Sequence, residues 1–270
     1  MSAPINGPVS IVTGGTFGLG QAITLALARR GHRVVAFGLE SPQVSSTAQG
    51  FDGLYKAIAS ASLGGRIELL EANVADEQDV ARVIAHALDK FGRIDGLVNN
   101  AAIGPLGTVL TTEPGMVDQI LAVNVKGVYM ASRAVIPHMA RQGGGSIVNI
   151  GSGAGHGKPN MAIYAASKGA VLALSSAMAY DHFHERIRVN VAIPGGGGII
   201  SGMSVGRFGG DESVFKSRPA VGTSAGRPAT GDDLANAVAF LLSSEAEAIS
   251  GTVIDVGCFA HQGGPVPVRI

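Results

Sequence analysis

Short apolar, β-branched runs alternate along the chain with longer segments whose apolar residues recur at helical spacing. The runs predict strands over residues 9–13, 33–37, 66–72, 96–99, 146–150, 188–193 and 253–256. Helices are predicted over 18–30, within 43–62, and over 76–91, 116–139, 162–185 and 232–243. Asp76 is placed to cap the third helix and Ser41-Pro42 to open the second. Strands alternating with helices need crossover connections, hence a parallel sheet. Right-handed crossovers give a doubly wound α/β sheet of seven strands with helices on both faces. No composition break divides the chain, so residues 1–270 read as one domain. Ligands of such sheets bind beyond the carboxyl ends of the strands, where the winding reverses. Residues 195–227 are rich in Gly and Ser and too long for an ordinary connection, which predicts a substrate lid.

Composition narrows the function classes. Twenty basic residues balance twenty acidic ones, so nothing electrostatic points to nucleic acid or an anionic membrane. Cys258 is the single cysteine and forms no internal disulfide, which fits a reducing compartment. The start, MSAPINGPVS, has neither a basic region nor an apolar stretch, so no signal peptide is expected. No run of about 18 apolar residues predicts a membrane span, and a cytoplasmic location follows as the expectation. Seven histidines raise the question of a metal. His182 and His184 are two apart and do not share a helix face. His32, His86 and His138 are scattered on expected surfaces, and His261 stands alone near the tail. No metal site is expected.

Forty glycines are the main anomaly, against a usual share of about 7%. The informative cluster is Thr13-Gly14-Gly15-Thr16-Phe17-Gly18-Leu19-Gly20, between the first strand and first helix. Gly14 can take a sharp turn, Gly18 can let backbone approach a pyrophosphate, and Gly20 can let helix and strand pack closely. The helix start adds free N–H groups and the positive dipole end, so the segment reads as a dinucleotide cradle in a Rossmann-like fold.

Tyr164 and Lys168 stand four apart in a predicted helix and share a face. A tyrosine of pKa ~10 is a poor base at neutral pH, and a nearby ammonium favours its phenolate. Such a pair suits proton exchange with an alcohol or carbonyl oxygen. An isolated YxxxK would more simply be a surface pair. Ser152, just past the fifth predicted strand, could bond a substrate oxygen or merely satisfy local backbone.

The TGxxxGxG spacing, Asn99-Asn100-Ala101-Ala102, Asn124 between valines, Ser152 in NIGS, Tyr164 with Lys168, and Pro194-Gly195 occur in order along almost the whole chain. Together they resemble the short-chain dehydrogenase/reductase family. The resemblance implies an NAD(P)-dependent alcohol dehydrogenase or ketoreductase that moves a hydride between nicotinamide and an alcohol/carbonyl pair. It implies Asn124, Ser152, Tyr164 and Lys168 as the catalytic set, with Tyr164 as acid/base. Lys168 would also hold the nicotinamide ribose, and Asn124 would position a relay water toward Lys168. Asn100, Ala101 and Ala102 would line the adenosine-ribose side, and Pro194 and Gly195 the nicotinamide side. Thr16, Phe17 and Leu19 belong to the glycine loop. Asn73-Val74 stands where relatives carry Asp-Val near the adenine. Family interfaces like the paired long helices form dimers and tetramers.

Four places depart from the family pattern. Two extra glycines follow Pro194-Gly195, which blurs the register of Ser201 at the usual threonine position. The loop from Ser152 to Tyr164 is about one residue short; it contains His156, Lys158 and Asn160, with His156 the leading candidate for a substrate contact. NNAG is NNAA, and the last strand runs into Asp255-Val256-Gly257-Cys258-Phe259 rather than VDGG. At the end of the second strand, Gly38, Leu39 and Glu40 replace both the NAD-type Asp and the NADP-type Arg. A 2′-phosphate needs a cation, whereas Glu40 could accept from a 2′-hydroxyl, so NAD is favoured over NADP. The rival function is a non-catalytic dinucleotide sensor or scaffold, since fold alone does not fix activity. A lyase or epimerase with bound cofactor fits less well, because such relatives more often have wider glycine spacing and a longer substrate domain. The substrate is expected to be a small alcohol or carbonyl compound.

Overall fold

A computed structural model describes residues 7–40, 50–195, 199, 202–206, 209, 211–217 and 223–257. The strands are β1 (Val9–Thr13), β2 (Arg33–Gly38), β3 (Ile67–Glu71), β4 (Gly96–Asn99), β5 (Gly145–Ile150), β6 (Ile187–Ile193) and β7 (Val253–Asp255). They form one seven-stranded parallel sheet in the order β3-β2-β1-β4-β5-β6-β7. The helices are α1 (Gly18–Arg29), α2 (Phe51–Ser60), α3 (Glu77–Phe91), α4 (Pro114–Leu121), α5 (Gly127–Arg141) and α6 (Ala162–Asp181). Beyond β6 come α7 (Gly202–Gly206), α8 (Glu212–Ser217) and α9 (Gly231–Leu242).

Side-chain alternation divides the core into two layers. Val12, Val34, Ala36, Val98 and Val148 point to one face, under Ile23 and Leu27 of α1 and Leu234 and Val238 of α9. Ile11, Val35, Phe37, Leu97 and Ile147 point to the other, under Val83 of α3, Val135 of α5 and Met178 of α6. Strands covered on both faces need apolar residues at every position, which explains their continuous β-branched runs. The winding reverses between β1 and β4, whose carboxyl ends meet at Thr13 and Asn99. That is where such sheets leave a crevice.

Several expectations need adjustment. The predicted helix over 116–139 is α4 and α5 joined through a π-helical turn at Ala122–Lys126. The helix predicted to 185 ends at Asp181; Arg186 takes a left-handed φ of +57° as the chain turns into β6. α3 is capped by Asp76, whose carboxylate accepts from Gln78 N and Asp79 N. α2 begins at Phe51 after Gly50 (φ +86°), and Ser41-Pro42 lies outside the described residues. His32 is buried, not on the surface: its Nδ1 meets Ser10 Oγ at 2.8 Å. By length and composition alone α6 could cross a bilayer, with a mean hydropathy of 1.3. It packs instead on the sheet and carries the buried Lys168.

Candidate active site

The glycine loop and the segment after β4 are bonded into one unit. Thr13 Oγ1 accepts from Asn100 N at 3.0 Å and Ala101 N at 2.9 Å. Asn100 Nδ2 in return donates to the carbonyls of Thr13 and Gly14, at 3.1 and 2.9 Å. Gly14 and Gly18 take left-handed φ of +59° and +55°, where a side chain would strain the backbone. Gly20 does something other than expected. A Cβ there would strike the Gly14 carbonyl, so Gly20 lets α1 close onto the loop rather than onto a strand. No side chain caps α1, so its first N–H groups are left for a ligand.

A cleft of about 610 Å³ opens over this unit. Gly14, Thr16, Phe17, Leu19, Gly38, Leu39, Asn73, Val74, Asn100, Ala101, Ala102, Ser152, Tyr164, Lys168, Pro194 and Gly195 all line it, as the sequence had singled them out. Gly18, Glu40 and Asn124 do not line it, and Ser201 lies outside the described residues. Glu40 is exposed just past β2. Thr16 Oγ1 is buried, has no hydrogen-bond partner among the described residues, and faces Gly38, where a Cβ would come within 2.9 Å of it. An orphaned hydroxyl beside a side-chain-free strand end and an uncapped helix fit a bound dinucleotide.

At the other end, α6 presents Tyr164 and Lys168 on one face, with the Lys168 ammonium 5.9 Å from the Tyr164 ring centroid. Lys168 Nζ donates to the Ile150 carbonyl at 2.8 Å. Its burial pushes the lysine pKa from 10.5 to about 8, because a charge removed from water is disfavoured. Ser152 Oγ accepts from Ala154 N at 3.1 Å, which leaves its hydroxyl hydrogen to donate elsewhere.

Asn124 occupies the π turn and is completely buried. Its Oδ1 accepts from Ile103 N at 2.9 Å. Its Nδ2 donates to Ile103 O at 2.8 Å and to Ser167 Oγ at 3.0 Å. Both amide hydrogens are therefore committed to protein.

Other cleft-lining residues were not singled out from sequence: Ile103, Val123, Ile199 and Phe215; Lys158, in the loop expected to shape the substrate pocket, also lines the cleft. His156, expected as a substrate contact, is exposed and does not line the cleft. Asn99 points away from the cleft, where its Nδ2 donates to Asn149 Oδ1 at 2.8 Å. The last strand does approach the site: a Cβ on Gly257 would strike the Gly195 backbone. Among the described residues no group of three or more His, Cys, Asp or Glu could hold a metal.

Residues 8–204 match the sequence profile of the short chain dehydrogenases. A 2-(R)-hydroxypropyl-CoM dehydrogenase of Xanthobacter autotrophicus is 36% identical, covering 91% of this chain and 95% of its own. A 3-oxoacyl-(acyl-carrier-protein) reductase of Thermotoga maritima is 31% identical, covering 93% and 97%. A 3-ketoacyl-(acyl-carrier-protein) reductase of Brucella melitensis, solved with NADH, superposes with a TM-score of 0.76 at 32% identity, covering 95% and 99%. With the glycine cradle and the cleft at the switch point of the sheet, these relatives mark a nicotinamide-dependent oxidoreductase. The chain belongs to the short-chain dehydrogenase/reductase family.

Proposed function

We propose that this protein interconverts a secondary alcohol and its ketone using NAD, with Tyr164 as general acid/base. The observation that carries this reading is the buried Lys168 ammonium, 5.9 Å from the Tyr164 ring centroid, in the cleft that also holds Ser152 and the glycine cradle. The adjacent positive charge favours the phenolate. In oxidation Tyr164 takes the proton of the substrate hydroxyl; in reduction it returns one to the carbonyl oxygen. Ser152 donates its free hydroxyl hydrogen to that same oxygen and stabilises charge developing there. Gly14, Thr16, Phe17, Gly18 and Leu19 would hold the pyrophosphate side of the dinucleotide, and Asn73, Val74 and Asn100 to Ala102 the adenosine side. Pro194, Gly195 and Ser201 would meet the nicotinamide, and Lys168 its ribose. Bound there, the nicotinamide supplies hydride to the carbonyl carbon or accepts it from the carbinol carbon. Asn124 acts as a positioning residue, since its side-chain donors are spent on Ile103 and Ser167.

The choice of NAD rests on charge. The only charged residues lining the cleft among those described are Lys158 and Lys168. Residues 41–49, SPQVSSTAQ, contain no cation, and Glu40 precedes them. A 2′-phosphate would find no basic partner in this stretch, whereas Glu40, exposed next to the cleft-lining Leu39, suits a 2′-hydroxyl. The dehydrogenase and reductase names of the relatives speak against a scaffold without activity. α6 is apolar, yet only 33% of its most apolar window is buried, and Tyr129, Tyr180 and Phe183 are exposed around it. That supports a homo-oligomer, a dimer or tetramer, paired through α5 and α6, and a cytoplasmic location is part of the same proposal. Residues 195–227 would close over the substrate. Titration with NADH and NADPH, followed by nicotinamide emission, tests the assignment. Tight NADH and weak NADPH binding, with turnover lost in Tyr164→Phe but NADH binding kept, is the expected result. NADPH preference would remove Glu40 from the reading, and no binding of either would remove the cradle.

A further inference from the structure

The cleft is lined largely by apolar side chains and holds two cations, Lys158 and Lys168. Ile103, Ile199, Met203 and Phe215 line it, and no Asp or Glu does among the described residues. Of its two cations, Lys168 is buried and bonded to Ile150 O. Lys158 is different. It is exposed at the cleft and makes no ion pair or hydrogen bond among the described residues.

The loop that carries Lys158 is not slack. Gly157 and Asn160 take left-handed φ of +96° and +57° on either side of it. The Asn160 carbonyl accepts from Gly107 N at 2.9 Å, and Ala162 N donates to Gly107 O at 3.1 Å. This pairing pins residues 160–162 to the segment after β4. A fixed backbone therefore holds an unpartnered ammonium at the wall of the cleft. An ammonium on a flexible stem accepts any anion, because it offers three donors in no set plane.

We propose that Lys158 binds an anionic group at the far end of the substrate. On the proposed function above, the substrate is then a small secondary alcohol or ketone with a short apolar spacer and a terminal carboxylate or sulfonate. The spacer packs on Met203 and Phe215 while the reacting oxygen lies at Tyr164 and Ser152. Lys158 sets specificity and takes no part in proton transfer.

The test uses the full-length protein with NADH bound. Ketones with the carbonyl next to a terminal methyl are compared in three forms, as the ω-carboxylate, its methyl ester and the ω-sulfonate. Both binding, read as a change in nicotinamide emission, and kcat/KM are measured. The wild type should prefer each anion to the ester by roughly two- to fivefold, mainly through KM, as expected for one partly exposed ion pair. The relative ranks of carboxylate and sulfonate identify the terminal group. Lys158→Gln should bring the ratio close to one, Lys158→Arg should keep it, and added salt should erode it in the wild type.

A wild type that binds anion and ester alike overturns the proposal, as does a Gln variant that keeps the preference. A Gln variant whose NADH affinity falls in step with the anion's also overturns it, because Lys158 would then serve the dinucleotide. If the Gln variant fails to fold, the Arg variant and the salt series decide, and a salt-independent preference overturns the proposal. Failure to bind NADH at all would instead sink the oxidoreductase site on which the proposal rests.

Discussion

Asn124 Nδ2 donates to Ser167 Oγ at 3.0 Å, and that hydroxyl in turn donates to the Tyr164 carbonyl at 2.7 Å. A buried amide in the π turn thus holds the helical turn that presents Tyr164 and Lys168. The same amide pairs both backbone groups of Ile103. Asn124→Ala would leave Ile103 N, Ile103 O and Ser167 Oγ each short of a partner, at about 1 kcal/mol each. Tm should fall by roughly 5–10 °C, and kcat should fall while NADH binding survives. Ser167→Ala removes the bridge to the amide and the bond to the Tyr164 carbonyl but keeps both Ile103 bonds, so its loss in Tm should be smaller. Scanning calorimetry on both variants checks the order. Equal losses would show that the Ile103 bonds contribute nothing.

Lys168 sets function against stability. Burial lowers its pKa from 10.5 to about 8, so at neutral pH the fold carries a desolvated charge at a cost of roughly 3 kcal/mol. The unfolded chain holds this proton up to about 10.5 and the folded chain only up to about 8. Stability from this group therefore rises with pH between those values and is lowest below them. Lys168→Met removes the charge but leaves Ile150 O without its donor, which offsets part of the gain. The variant should unfold at equal or higher urea than the wild type at pH 7, and turnover should be abolished. The difference should vanish as the pH approaches 10. A less stable Met variant at pH 7 would mean that the ammonium is solvated in the folded protein.

The architecture was legible because both signals that encode it are local. A central parallel strand must be apolar throughout, and the TGxxxGxG loop must have bare Cα atoms where backbone approaches backbone. The cleft residues on those strand ends followed from the same argument. The walls did not. Met203, Phe215 and Ile199 come from a long connection whose path depends on tertiary packing, and no periodicity in the sequence places them. Lys158 and His156 are two apart in one short loop, and nothing in their spacing tells that Lys158 lines the cleft while His156 does not. His32 looked like a surface residue because the burial of its ring depends on Ser10 across the β1–β2 ladder, a contact between residues 22 apart.

Gly104 is a second residue that sequence spacing did not reveal. A Cβ there would lie 2.7 Å from Tyr164 Cδ2 and 2.8 Å from the Met203 sulfur. The Tyr164 ring rests against bare backbone at this point. Methionine can move aside, but Tyr164 is buried and held through α6, so an added methyl would rotate the ring off its line to the substrate oxygen. Gly104→Ala should lower kcat about tenfold or more with little change in NADH affinity, since misplacing a catalytic group by even ~1 Å is costly. Stopped-flow reduction with saturating NADH separates the two. Unchanged kcat would show that Met203 alone absorbs the methyl.

His32 should make the fold acid-sensitive. Its ring is buried against Ser10 Oγ, and burial lowers its pKa below the ordinary 6.5, an effect that nearby Asp95 partly opposes and Arg30 reinforces. The folded protein therefore binds this proton less readily than the unfolded chain. Above pH 6.5 both states hold a neutral ring and stability is full; as pH falls below 6.5 the unfolded chain gains a proton that the folded one refuses. From pH 7.5 to 5.5 the loss attributable to this ring is at most about 1.4 kcal/mol. His32→Gln keeps a side chain able to bond Ser10 but does not titrate. Urea unfolding at the two pH values should show the wild type losing more stability than the variant, by up to that amount. The carboxylates titrate in both proteins and cancel in the difference. Equal losses would mean that His32 takes up its proton inside the fold, with Asp95 close enough to outweigh the burial.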